Sequence, residues 1–87
     1  MSSLKQLLEE REKTHGSFMD HAQITQVLKH EMKHTKNWQR LSAPQKESLE
    51  MIVHKIGRVL SGDPNHIDSW VDIAGYATLI SSLLQGL

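Results

Sequence analysis

The sequence predicts an all-α protein of four helices in one domain, and three observations carry that prediction. Apolar residues recur at spacings of three and four along most of the chain, and no segment alternates as a strand would. Capping and turn signals divide the pattern at "THGSF", "TKNWQRLS" and "SGDPNH", leaving four helical segments. At 87 residues the chain is too short for two hydrophobic cores, so residues 1–87 read as a single domain.

The first helix is predicted from about Ser3 to Lys13, with Leu4, Leu7, Leu8 and Arg11 on one face. His15 and Gly16 then form a turn, and Ser17 supplies the N-cap of a second helix that runs to about His34. Phe18, Ile24, Leu28 and Met32 share one side of it. A polar connection carrying Trp38 ends at Ser42, whose hydroxyl can cap the next helix while Gln45 closes a capping box. Pro44 suits the first turn, where its missing N–H is not needed.

The third helix, about Ala43 to Leu60, has two distinct faces. Leu49, Ile52, Val53, Ile56, Val59 and Leu60 gather on one arc, and Glu47, Glu50, His54, Lys55 and Arg58 occupy the other. Gly62 and Pro64 stop it, and the fourth helix runs from about Ile67 to Leu84. Its apolar residues go nearly all the way round, which predicts burial on most sides, within the chain or between chains. A core this small rarely contributes more than roughly 3–5 kcal/mol, so a homo-oligomer is expected.

Composition narrows the function. Ten basic and ten acidic residues balance, so no broad positive field exists to draw in nucleic acid or an anionic membrane. An anionic ligand must therefore be held locally. Without cysteine there is neither a disulfide framework nor a thiolate metal site, and no apolar run approaches the roughly 18 residues of a membrane span. "MSSLKQLLEEREK" does not resemble a signal peptide, and a cytoplasmic location is expected.

The chemistry-bearing residues are the carboxylates of the last two helices. Asp68 and Asp72 share an edge of the fourth helix with Gly75, which would let a neighbouring helix approach there. Asp68 lies where the helix dipole favours an acid, whereas Asp72 is deeper and needs a partner. Glu47 and Glu50 form an E-x-x-E pair on the third helix, and Lys55 and Arg58 extend its polar face. Two readings follow. In the structural one, Asp68 and Asp72 pair with Arg58 and Lys55. In the functional one, Glu47, Glu50 and Asp72 converge as oxygen ligands of Mg²⁺. The antiparallel run of the two helices places Glu47 far from Asp72, so that version needs an offset or a subunit boundary.

The block "QKESLEMIVHKIGRVLSGDPNHIDSWVDIAGYATLI", with "LLEEREKTHGSF" before it, resembles a small phage-encoded family related to the all-α MazG-like nucleotide pyrophosphohydrolases. The resemblance covers most of the chain and rests on the order E-R-E-K-T-H-G-S-F, E-x-x-E, K-I-x-R and W-x-D-I-A-G-Y. It implies a four-helix MazG-like bundle assembled as a dimer or tetramer. It also implies Mg²⁺ over a triphosphate, held by an E-x-x-E on one helix and an E-x-x-D on the next. Glu47, Glu50 and Asp72 match that pattern, but Ser69 stands three residues before Asp72, and Asp68, four before, shares the helical face and is the substitute. The implied reaction splits a nucleoside triphosphate into monophosphate and pyrophosphate, with Glu50 orienting the attacking water. Lys55 and Arg58 would contact phosphate, and His15, Phe18, Trp38 or Trp70 would receive the base. Periodicity places Phe18 and Trp70 on core stripes and Trp38 in a polar connection.

"HEMKH", His30 to His34, matches the H-E-x-x-H zinc pattern. It lies opposite the apolar face of the second helix, and no third ligand follows at a suitable spacing, so a solvated helix end explains it. Three functions from different classes result. The leading one is Mg²⁺-dependent nucleotide pyrophosphohydrolysis. The second is a non-catalytic phage protein that sequesters a host signalling nucleotide. The third is a helical oligomer whose charges only organise packing.

Overall fold

Two capping boxes set the starts of the first and third helices. In a computed structural model, which describes residues 3–86, the helices are α1 (Leu4–His15), α2 (Phe18–Lys33), α3 (Ala43–Ser61) and α4 (Ile67–Leu84), with a short 3-10 turn at Trp38–Arg40. No strand occurs among the described residues. At Ser42 the anticipated box is present: Gln45 N–H donates to the serine Oγ (3.2 Å) and the Ser42 N–H donates to Gln45 Oε1 (2.9 Å). Ser3 and Gln6 form the same box at the start of α1, and Ser17 caps α2. Each such cap contributes about 1 kcal/mol by satisfying N–H groups that a helix start leaves without partners.

α1 extends two residues beyond the expected Lys13, because the Gly16 N–H donates to Glu12 O (2.9 Å) and so holds His15 in the helix. Gly16 then turns with φ 81°, and its backbone lies against the end of α3. The two helix ends are stitched together: Asp63 N–H donates to Thr14 O (2.8 Å), and Ser61 Oγ donates to His15 O (3.2 Å). Gly16 and Gly62 permit this approach, since a Cβ on Gly16 would sit 2.0 Å from Ser61 O and one on Gly62 2.3 Å from Thr14 O.

α3 is the central helix, with α2 and α4 packed on different sides of it and α1 meeting the others near its own C-terminus. That arrangement corrects the two-faced reading of α3. Lys55, expected on the solvated arc, is buried, while Leu49 and Leu60, expected in the core, are exposed. A helix with neighbours on both sides buries residues from both arcs. Much of the contact is made by small or polar residues, with His21, Thr25 and Gly57 between α2 and α3, and Ser48 of α3 and Ser69 of α4 also buried. Val53 is the sole buried residue with an apolar side chain among those described.

The last helix is not covered within its own chain. Ser69 alone is buried on it, and its apolar residues face outward over most of its length. Nothing of this chain lies within 4 Å of where a Gly75 Cβ would be, so no helix of the same chain makes the approach that this glycine permits. The chain is correspondingly elongated, 48 × 29 × 22 Å, with a radius of gyration of 15.2 Å. A closed domain of this length would have about 12 Å. No described helix is long and apolar enough to cross a membrane.

Candidate functional site

The ends of α1 and α3 and the start of α2 enclose a cleft of about 380 Å³, lined by Leu8, Arg11, Glu12, His15, Phe18, His21, His54 and Arg58. Each helix contributes its side chains at helical spacing: Leu8, Arg11, Glu12 and His15 from α1, Phe18 and His21 from α2, His54 and Arg58 from α3. The glycine turn at Gly16 brings the three helices close enough for these residues to meet.

Two histidines form the floor. His21 Nε2 lies 3.3 Å from His54 Nδ1, so one ring donates to the other and the pair shares one of its protons in a hydrogen bond. His21 is buried because Gly57 leaves room for its ring on α3; a Cβ there would lie 2.8 Å from His21 Nδ1. That Nδ1 is buried without a hydrogen-bond partner. His15 stands at the rim with its ring edge-on to His66, the centroids 6.3 Å apart.

All three cleft histidines have pKa values below the ordinary 6.5, each chiefly through burial. Positive neighbours add to this: Arg58 acts on His15 and His21, while Lys29, His21 and Arg58 act on His54. The Gly57 backbone opposes the shift at His21 without reaching hydrogen-bond geometry. At neutral pH the cleft is thus built of neutral imidazoles and two arginines, with Glu12 the one acid in its lining. Such a surface offers N–H donors and positive charge to an anion, and the exposed Phe18 ring, 77% accessible, offers an apolar face beside them.

The residues singled out in the sequence divide between this cleft and other places. His15, Phe18 and Arg58 line it together. Lys55 is on another side of α3, where its Nζ lies 2.9 Å from Asp72 Oδ2. Trp38 is half-buried by the 3-10 turn, with the Lys46 ammonium 5.9 Å from its ring centre. Trp70, expected in the core, is exposed, and its Nε1–H donates to Pro64 O (2.8 Å). Phe18 is likewise outside the core.

The acidic residues do not converge. Glu50 pairs with Lys33 (3.7 Å) and Asp72 with Lys55, while Asp68 Oδ2 lies 3.6 Å from His66 Nε2 and not against the anticipated Arg58. Glu47 borders a hollow with Tyr76 and Leu83, toward the far end of α4 from Asp68. Among the described residues no group of three or more acidic or histidine side chains is placed to hold a metal ion. Within one chain, Glu47, Glu50, Asp68 and Asp72 are therefore not gathered at one point, for the reason the antiparallel run of α3 and α4 supplies. The H-E-x-x-H residues are solvated: His30, Glu31 and His34 are exposed, and His34 Nδ1 hydrogen-bonds His30 O (2.7 Å).

A family model described as Domain of unknown function (DUF6378) matches residues 2–84. The chain belongs to the DUF6378 family. No curated protein and no solved structure matches it. The DUF6378 match spans all the helices that build the cleft.

Sequence reading missed His21, His54 and Arg11 as site residues. The available signal was faint: His21 and Thr25 lie one turn apart on α2, and Gly57 on α3 is a small residue that a bulky ring could cover. Only the helix crossing pairs them.

Proposed function

We propose that this protein binds a nucleotide, or a phosphorylated small molecule of similar size, in the cleft between α1, α2 and α3, without turning it over. The observation that carries this reading is the convergence of Arg11, Arg58 and three histidines beside an exposed phenylalanine in one cleft. The arginine forks take phosphate oxygens, the histidine N–H groups add donors, and Phe18 gives the base an apolar face. The resemblance to MazG-like proteins points to the same ligand class. It would add Mg²⁺-dependent hydrolysis, but the carboxylates of one chain are not gathered around one point, so binding is the reading we adopt.

Titration calorimetry with mono-, tri- and cyclic nucleotides and inorganic phosphate tests it, with pyrophosphate release in Mg²⁺ measured in parallel. Binding that Arg58→Ala weakens roughly 10- to 100-fold, the scale of a lost charge-assisted hydrogen bond, supports the proposal. No heat from any of these ligands sinks it. Pyrophosphate release would move the assignment from binding to hydrolysis.

A further inference from the structure

We infer that α4 is an interface helix, covered in solution by a second copy of this chain packed across Val71, Gly75 and Leu79. The inference goes beyond the ligand cleft, which lies on another side of α3.

The first ground is area. The chain exposes 6579 Å². A folded monomer of 9.9 kDa exposes about 5,200 Å². The surplus, roughly 1,400 Å², exceeds the about 800 Å² that each partner buries in a standard stable complex and falls within the obligate range. The elongated shape has two sources: α1 meets the other helices only near its C-terminus, and α4 packs chiefly on α3 and leaves its outer side bare.

The second ground is chemistry. No charged residue occurs from Ile73 to Leu87. On the same helix Val71 and Leu79 are 57% and 60% exposed. An uncharged face has no means of recognising a nucleic acid or a charged peptide. It suits a copy of itself, because a two-fold contact lays apolar surface on identical apolar surface and leaves the carboxylates of Glu47 and Asp72 at its margins. Asp72, at the edge, is already paired with Lys55.

The third ground is shape. Tyr76 and Leu79 border two neighbouring hollows, one toward Asp72 and Gly75, the other toward Glu47 and Leu83. A two-fold axis near this ridge seats each Leu79 in a hollow of the other chain, and Gly75, with nothing near its Cβ position, lets the partner backbone approach. The exposed leucines of α1 are the competing surface.

Sedimentation velocity of the full chain, from micromolar to submillimolar concentration, tests the inference. The expected result is a dimer whose thermal midpoint rises with protein concentration. Gly75→Leu is the cleanest variant, because its Cβ has no atom of its own chain within 4 Å and leucine improves helix propensity, yet the side chain fills the space the partner needs. It should weaken the dimer at least tenfold, as should Leu79→Glu, whereas Leu7→Glu on α1 should leave it intact. A monomer at all concentrations overturns the inference, as does a dimer indifferent to both α4 variants. A monomer that sediments with phosphatidylcholine–phosphatidylglycerol vesicles also overturns it and assigns the face to a lipid surface.

Discussion

Lys55 Nζ lies 2.9 Å from Asp72 Oδ2, with the lysine buried on α3 and the aspartate half-exposed on α4. The pair joins the central helix to the last one and neutralises a charge that α3 would otherwise bury alone. Asp72→Asn should destabilise the protein by about 1–3 kcal/mol, less than for a fully buried pair because water still reaches the aspartate. The double variant Lys55→Met, Asp72→Asn should recover most of that loss, since no charge is then left without a partner. Urea unfolding of both variants checks the order.

Gly57→Ala should cost about 1–3 kcal/mol despite alanine's better helix propensity, because the new methyl would meet Thr25 Cγ2 at 2.7 Å and His21 Nδ1 at 2.8 Å. The ring must move, and with it the hydrogen bond to His54. Histidine NMR titration should show the His54 pKa change in this variant, while a merely local packing defect would leave it in place.

Stability should fall as the solution is acidified below pH 6.5, the ordinary histidine value. His15, His21 and His54 have lowered pKa values in the folded chain, so between those values and 6.5 the unfolded chain binds more protons. Their contribution is fully present above pH 6.5 and is lost as pH drops through the folded values. A phosphate in the cleft favours the charged imidazoles, so inorganic phosphate or a nucleotide should lessen this acid sensitivity. Denaturation midpoints across pH, with and without ligand, measure both effects.

Gly16 and Gly86 both have positive φ, 81° and 79°, but only the first is crowded. Gly86→Ala should cost about 1–2 kcal/mol at most, the ordinary strain of a left-handed alanine. Gly16→Ala adds a collision with the Ser61 carbonyl and should cost more than about 3 kcal/mol, or prevent α1 from docking. Thermal denaturation of the two variants reads the difference, to which the ψ of −179° at Gly16 adds strain beyond the collision.

Phe18→Ala should weaken nucleotide binding several-fold, whereas Trp38→Ala should not, because Phe18 lines the cleft and Trp38 sits by the 3-10 turn. Fluorescence-based titration with a labelled nucleotide reads both. Equal losses would detach the ligand from the cleft.

What the sequence determined by itself is local. The four helices, the capping box at Ser42 and the turns at Gly16 and Gly62 follow from neighbours within about four residues, and those interactions form wherever the chain goes. Part of the cleft was visible in the same way, since His15, Phe18 and Arg58 stood out by type and position. The tertiary structure decided the rest. Lys55 is buried because α3 has neighbours on both sides, His21 meets His54 because Gly57 admits its ring, and the carboxylates lie apart because α3 and α4 run antiparallel. Helical periodicity tells which residues share a face but not which helix covers it, and that choice rests on close packing between residues far apart in the chain.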